Sequence, residues 1–217
     1  CCNPPPPHTQ PAPSGLFYER NMDFQDFPKM ARLSRECVIT EKIDGTNAQV
    51  CIAEDGTIQA GSRTRWITPE QDNHGFAVWV QAHADELRLL GPGRHFGEWW
   101  GAGIQRRYGI AEKRLSLFNT LRWCAHDAEP ERIQSQDPRA EPKYQTRLPA
   151  CCSLVPVIYR GTFSTGAVDR AIDGLKNLGS VAAPGFMNPE GVVVFHVAGN
   201  VGFKKTIEKD EVPKALQ

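Results

Sequence analysis

The sequence predicts an α+β fold in which antiparallel sheets are flanked by a few helices. Two observations carry that prediction. Strand-like segments meet across two-residue turns at Asp55-Gly56 and Gly199-Asn200, as antiparallel hairpins do. Helical periodicity is confined to separate stretches and does not alternate with strands, which excludes a regular βαβ architecture.

Each element follows in chain order. Residues 1–15 are rich in proline and small polar residues and predict an extended lead-in with no part in the fold, leaving residues 16–217 as one domain. Cys37–Thr40 predicts a short strand running into Glu41-Lys42, and Ala48–Ala53 with Thr57–Ala60 predicts the first hairpin. Phe76, Val80, Leu87 and Leu90 fall at near-helical spacing, so Phe76–Leu90 reads as one helix, stopped by Gly91-Pro92-Gly93. His95–Trp100 and Leu115–Trp123 predict strands. Residues 125–150 turn polar, with several prolines, and predict a surface insertion or long loop. Leu154–Tyr159 resumes a strand, Val168–Leu178 predicts a helix, and the β-branched run Gly191–Val197 pairs across its turn with Val201–Ile207.

Composition removes several function classes. The chain has 217 residues, 40% of them hydrophobic, enough for a sizeable core and unlike a disordered or fibrous chain. No run of about 18 apolar residues predicts a membrane span. The start lacks the basic and apolar regions of a signal peptide. Seven cysteines, an odd number without a repeating framework, predict reduced thiols and a cytoplasmic setting. The 25 basic and 25 acidic side chains cancel, so no global basic excess points to nucleic acid. Gly101-Ala102-Gly103 fails as a dinucleotide fingerprint because Arg106 stands at the third glycine position, and Gly174–Ser180 lacks the lysine of a phosphate-binding loop. Cys151-Cys152 and the scattered histidines offer no zinc-ligand spacing.

One stretch carries chemistry: Glu41-Lys42-Ile43-Asp44-Gly45-Thr46-Asn47. A lysine ending an apolar strand can lose solvent, which frees its lone pair, and Gly45 lets backbone approach a phosphate. A charged hairpin mouth, with Lys42 solvated between Glu41 and Asp44, fits the same residues.

Further segments resolve the choice. Lys42-Ile43-Asp44-Gly45 resembles the Lys-x-Asp-Gly motif of the covalent nucleotidyltransferases, a superfamily of RNA ligases, DNA ligases and capping enzymes. Ser62-Arg63-Thr64, Phe96-Gly97-Glu98, Leu117-Phe118-Asn119, Glu190-Gly191-Val192-Val193-Val194 and Phe203-Lys204-Lys205 resemble its later motifs, in order. Glu41 before the lysine and Asn47 after it look most like the RNA ligases, as do Phe96–Gly101 and Ala183–Gly191.

The resemblance implies an ATP-grasp-like nucleotidyltransferase domain over about residues 35 to 210. It implies that Lys42 attacks the α-phosphate of ATP to form lysyl-AMP, and that AMP then passes to the 5′-phosphate of an RNA end. Asp44 would orient Lys42 or the nucleic-acid end, and Glu41, Gly45 and Asn47 would border the nucleotide. Arg63 would face the nucleotide, Glu98 its ribose, and Phe118 would stack on the base. Glu190 would place Mg²⁺ or Mn²⁺, and Lys204 or Lys205 would reach the α-phosphate. Only one of those neighbouring lysines can point into a pocket from a strand, and Lys204 is the favoured one. Arg94, Arg106, Arg107, Lys113 and Arg114 form a local basic group that could track a phosphate backbone. The sixth motif and the oligonucleotide-binding-fold domain of DNA ligases and capping enzymes do not follow the fifth. That disfavours a GTP-using guanylyltransferase and implies an accessory protein or domain for RNA. A nucleotide- or RNA-end-binding module that no longer ligates is the non-catalytic alternative.

Overall fold

The computed structural model describes residues 26–27, 30–133, 141–208 and 210; the lead-in expected over residues 1–15 lies outside them. The chain divides into two units, Cys1–Met30 and Ala31–Gln217, and every element below belongs to the second. It opens with β1 (Glu36–Lys42), β2 (Thr46–Ile52), β3 (Ile58–Gly61) and β4 (Trp66–Ile67). After a 3₁₀ turn come α1 (Phe76–Ala82), α2 (Ala84–Leu87) and a second 3₁₀ turn (Arg88–Leu90), then β5 (Gly93–Gly101) and β6 (Lys113–Leu117). Four two-residue strands follow: β7 (Trp123–Cys124), β8 (Arg132–Ile133), β9 (Lys143–Tyr144) and β10 (Thr146–Arg147). The chain continues through β11 (Cys152–Leu154), β12 (Val157–Thr162), α3 (Thr165–Leu178), β13 (Gly191–His196) and β14 (Val201–Thr206).

Two sheets organise these strands. One has four antiparallel strands in the order β12-β1-β13-β14, the other six in the order β11-β6-β5-β2-β3-β4, antiparallel except for β6 with β11. The α+β prediction therefore holds. Alternation along each strand gives each sheet one covered face. In the six-stranded sheet Val50, Ile52, Trp99, Leu115 and Leu117 pack with Phe76, Val80, Leu87 and Leu90. In the four-stranded sheet Cys37, Ile39, Val192 and Val194 pack under Ala167, Val168, Ala171, Ile172 and Leu175 of α3. The Ser164 hydroxyl caps α3 by accepting the Ala167 N–H at 3.2 Å. Among the described residues no helix is long and apolar enough to cross a membrane.

Three expected elements differ in detail. The single helix over Phe76–Leu90 breaks at His83, whose backbone leaves helical geometry (φ −110°, ψ 19°) while its ring stacks on Trp79 at 4.6 Å. The break re-aims the second segment, and Leu87 and Leu90 still reach the core. The strand over Leu115–Trp123 ends at Leu117, because Asn119 builds a turn: its Oδ1 accepts the Arg122 N–H at 3.0 Å and its carbonyl accepts the Trp123 N–H at 3.1 Å. Within residues 125–150 the described part carries short strands, β8 pairing with β9 and β10 with β7.

Glu41 ties β1 to the segment that leads from α3 to β13. It shares the α3-facing side of β1 with Cys37 and Ile39, where a carboxylate is costly unless fully paired. It is 1% exposed and accepts the Ser180 hydroxyl at 2.6 Å and the Val181 and Ala182 N–H groups at 2.8 and 2.9 Å. Glu41→Ala removes the acceptor for all three donors at once. The expected loss is about 3 kcal/mol of unfolding free energy, read as a lower urea midpoint with unchanged slope.

Candidate active site

The turn Ile43–Gly45 carries the chain from the four-stranded sheet into the six-stranded one, so Lys42 sits at the seam between them. The antiparallel register sets its partner. Lys42 lies opposite Gly191, so the preceding residue, Glu190, comes alongside the amine. Lys42 Nζ donates to Glu190 Oε2 at 2.6 Å, and Glu190 is almost fully buried.

The turn itself is held from three directions. A Cβ on Gly45 would lie 2.5 Å from the Trp99 carbonyl oxygen and 2.7 Å from the Trp100 Cβ, so only glycine fits. The Gly45 N–H donates to Glu98 Oε1 at 3.0 Å, and the Asn47 amide reaches Glu98 Oε2 at 3.4 Å. The Asp44 N–H donates to the Tyr108 hydroxyl at 2.7 Å, and Arg106 Nε donates to Asp44 Oδ2 at 3.0 Å. Arg106 Nη1 also donates to the Asn188 carbonyl and side-chain oxygens at 3.0 and 2.7 Å. One guanidinium therefore ties the residue two beyond Lys42 to the residue two before Glu190. The loop that delivers it bends sharply: Gln105, Arg107 and Tyr108 all have positive φ. Tyr108, 2% exposed and packed against Trp100 and Phe186, holds that loop in place.

Above the seam a cleft of about 1040 Å³ opens between the sheets. Thr40, Lys42, Val193 and Lys204 line it from the four-stranded sheet, and Glu98 and Phe118 line it from the six-stranded one. That is room for a nucleotide with one ring wall and one aliphatic wall.

The RNA ligase family profile matches residues 35–209. The chain belongs to the RNA ligase family. Its fold is similar to that of Naegleria gruberi RNA ligase in two mutant apo structures. One has a TM-score of 0.51 at 16% identity, covering 80% of this chain and 50% of that one; the other has 0.51 at 16%, covering 83% and 53%. A mutant of the same ligase with AMP and Mn gives 0.51 at 16%, covering 80% and 50%. The chain spans about half the length of these ligases, and at such identity the likeness is one of fold. No curated protein matches the chain in sequence.

Within this ligase-family domain the residues singled out in the sequence fall into two groups. Lys42, Asn47, Glu98, Phe118 and Lys204 line the cleft, with Glu190 bonded to Lys42 and Gly45 and Asp44 in the turn beside it. Two others lie elsewhere, and a third is divided. Glu41 lines the cleft, but its carboxylate is taken up by Ser180–Ala182. Lys205 faces α3 and donates to Asp169 Oδ1 at 2.8 Å, as strand alternation requires once Lys204 faces the cleft. Arg63 is exposed in the β3–β4 turn and is not among the residues lining the cleft. The basic group is divided as well: Arg106 serves Asp44, Lys113 donates to the His74 carbonyl, Arg114 pairs with Glu112, and Arg94 lies over Trp66. Tyr108 and the clamping role of Arg106 are the functional features sequence reasoning missed. Their partners lie 62 to 82 residues away, so no local pattern marks them.

The described residues contain no cluster of three or more His, Cys, Asp or Glu side chains able to cage a metal. A single buried carboxylate at Glu190 suits a hard cation that arrives with substrate phosphates and keeps its waters, the usual habit of Mg²⁺.

Burial pushes the Glu98 carboxyl up to about 7, against the pull of Lys42 and the Gly45 N–H and with help from the charges of Glu190 and Asp44. Burial likewise raises the Tyr108 phenol well above its ordinary range, so it stays a neutral acceptor for the Asp44 amide. For Glu98 the sign of the linkage is fixed. The folded protein holds this proton more tightly than the unfolded chain, so stability falls as pH rises from about 4.5 to about 7. Glu98→Gln keeps an acceptor for Gly45 and removes the charge. It is expected to equal the parent in urea stability near pH 4.5 and to exceed it by about 1–3 kcal/mol at pH 8.

Proposed function

We propose that this domain is an ATP-dependent RNA ligase adenylyltransferase that forms lysyl-AMP at Lys42 and passes AMP to the 5′-phosphate of an RNA end. The observation that carries the reading is the Lys42–Glu190 contact at the head of a nucleotide-sized cleft. With the base of ATP against Phe118 and its ribose toward Glu98, the α-phosphate would come to the four-stranded sheet, which Lys42 and Lys204 line from β1 and β14. Lys204 meets the phosphate charge, which a site closed to bulk water makes most effective.

Lys42 must shed a proton before its lone pair can attack. Glu190 Oε2 accepts a hydrogen bond from Nζ and so orients the amine, and the proton passes to water before attack. Attack forms the N–P bond, breaks the bond from the α-phosphorus to the bridging oxygen, and releases pyrophosphate. Gly45, Asp44, Tyr108 and Arg106 limit the motion of the turn, which keeps Nζ within reach during attack. Mg²⁺ or Mn²⁺, held by Glu190, would offset phosphate charge and assist the leaving group. The AMP and Mn bound by Naegleria gruberi RNA ligase support the assignment of ATP and a divalent cation. Joining then follows when a 3′-hydroxyl attacks the activated 5′-phosphate and AMP leaves.

Incubating the protein with α-labelled ATP and Mg²⁺, followed by denaturing electrophoresis, tests the reading. Label is expected on the parent with ATP, absent with GTP, and reduced at least a thousandfold in Lys42→Ala, which lacks the nucleophile. Label that persists in Lys42→Ala would refute the assignment, and label from GTP alone would make the domain a guanylyltransferase.

A further inference from the structure

We propose that the cleft-side face of the six-stranded sheet, where it runs on from the cleft toward β4, is a stacking platform for an unpaired polynucleotide strand that leads into the cleft. The proposal names the substrate class of the adenylyl-transfer site and rests on that reading.

Strand alternation assigns the residues of this face. On β2, β5, β3 and β4 the side chains of Val50, Trp99, Ala60 and Ile67 point into the core, so Gln49, Arg94, Phe96, Gly61 and Trp66 point the other way. Phe118, following Leu117 of the core, joins them, and its N–H donates to the Phe96 carbonyl. Three large rings thus stand on one sheet face and remain open to solvent: Phe118 is 42% exposed, Phe96 52% and Trp66 45%. Such a concentration of exposed aromatic surface in an otherwise well-covered sheet calls for a partner.

The partner chemistry follows from what surrounds the rings. The Arg94 guanidinium carbon lies 5.3 Å from the centroid of Trp66, so a cation sits against the ring system. The β3–β4 turn adds exposed Arg63 and Arg65. Gln49 and Gln59 are neutral, and the only carboxylate these strands turn to this side is the buried Glu98. Trp66 packs close over Gly61, since its Cε3 and Cζ3 sit 3.2 Å from where a Gly61 Cβ would be. Flat rings interleaved with cations and free of acids match the π-faces and phosphates of single-stranded nucleic acid. A duplex hides those π-faces in its own stack and would use the cations alone.

Continuity points the same way. Phe118, Phe96 and Arg94 also line the cleft, so the strip begins where the nucleotide is held. It runs to Trp66 across the strand order β6-β5-β2-β3-β4, four strand spacings or about 19 Å.

Fluorescence anisotropy tests the proposal with a 5′-phosphorylated RNA of about 12 nucleotides, presented unpaired or annealed to its full complement. The parent protein is expected to bind the unpaired strand at least tenfold more tightly than the duplex. Trp66→Ala is expected to weaken that binding about tenfold, the loss of one stacked base, and Trp66→Phe to restore most of it. Arg94→Ala is expected to weaken it as well and to flatten its salt dependence. Label from ATP on Lys42 should be unchanged in both Trp66 variants, since Trp66 does not line the cleft. Equal affinity for strand and duplex, or undiminished binding by both Trp66→Ala and Arg94→Ala, would overturn the platform. So would a self-association on size-exclusion chromatography that Trp66→Ala abolishes while RNA binding stays intact, which would assign the face to protein. Absence of label on the parent would defeat the adenylyl-transfer reading instead, and the anisotropy would still judge the platform.

Discussion

The close approach of Gly45 to the Trp99 carbonyl is the constraint on which the site depends. It lets β1 of one sheet pass into β2 of the other within a three-residue turn, and that turn brings the two open sheet faces together around a cleft. Any side chain at this position would push the sheets apart, and the lysine with them. Around this contact the other parts are arranged as supports: Glu98 accepts the Gly45 amide, Tyr108 accepts the preceding one, and Arg106 ties Asp44 to Asn188 on either side of the Lys42–Glu190 pair. The nucleophile itself contributes little to holding this arrangement. Its geometry is imposed by neighbours, of which Glu98 and Tyr108 are more deeply buried than it is.

The charges follow a logic that a net sum of zero conceals. Three acids are nearly removed from water, and each has a different compensation. Glu41 is neutralised by an inward cluster of donors, Glu190 by an amine, and Glu98 incompletely, which is why its proton is retained to near neutrality. Incomplete compensation at Glu98 costs stability in the empty site. It also leaves an acceptor whose charge state responds to whatever cation or hydroxyl enters the cleft.

Much of this organisation was legible in the sequence. The antiparallel pairing of β1 with β13 brings Lys42 to Glu190, and both could be named because strand-end chemistry and short motifs sit at fixed local spacings. The two-residue period of a strand requires that only one of Lys204 and Lys205 face the cleft, and the pairing of Lys204 with Val193 decides which. What sequence could not give was side-chain direction at ambiguous positions and partners across long separations. Glu41 reads as a site residue from its place before the motif lysine, and it does border the cleft, yet that adjacency in a strand turns its carboxylate to the opposite face, toward Ser180–Ala182. Tyr108 and Arg106 lie in a loop whose glycines Gly103 and Gly109 mark a turn, but the left-handed residues between them, Gln105, Arg107 and Tyr108, carry no such signal. The helix over Phe76–Leu90 was split by a histidine whose ring stacks on Trp79, an effect that apolar spacing does not encode.

The paired lysines of β14 have one more consequence. This strand forms an outer edge of its sheet, held on one side only by β13. Edge strands held by a single neighbour are the ones most prone to slide by a residue, a movement that turns every side chain to the opposite face. Here such a slide would carry Lys205 toward the cleft and Lys204 toward Asp169, and each face would keep its positive charge. Two adjacent copies of one residue thus make the phosphate side of the cleft insensitive to an error that would invert it at almost any other pair of positions.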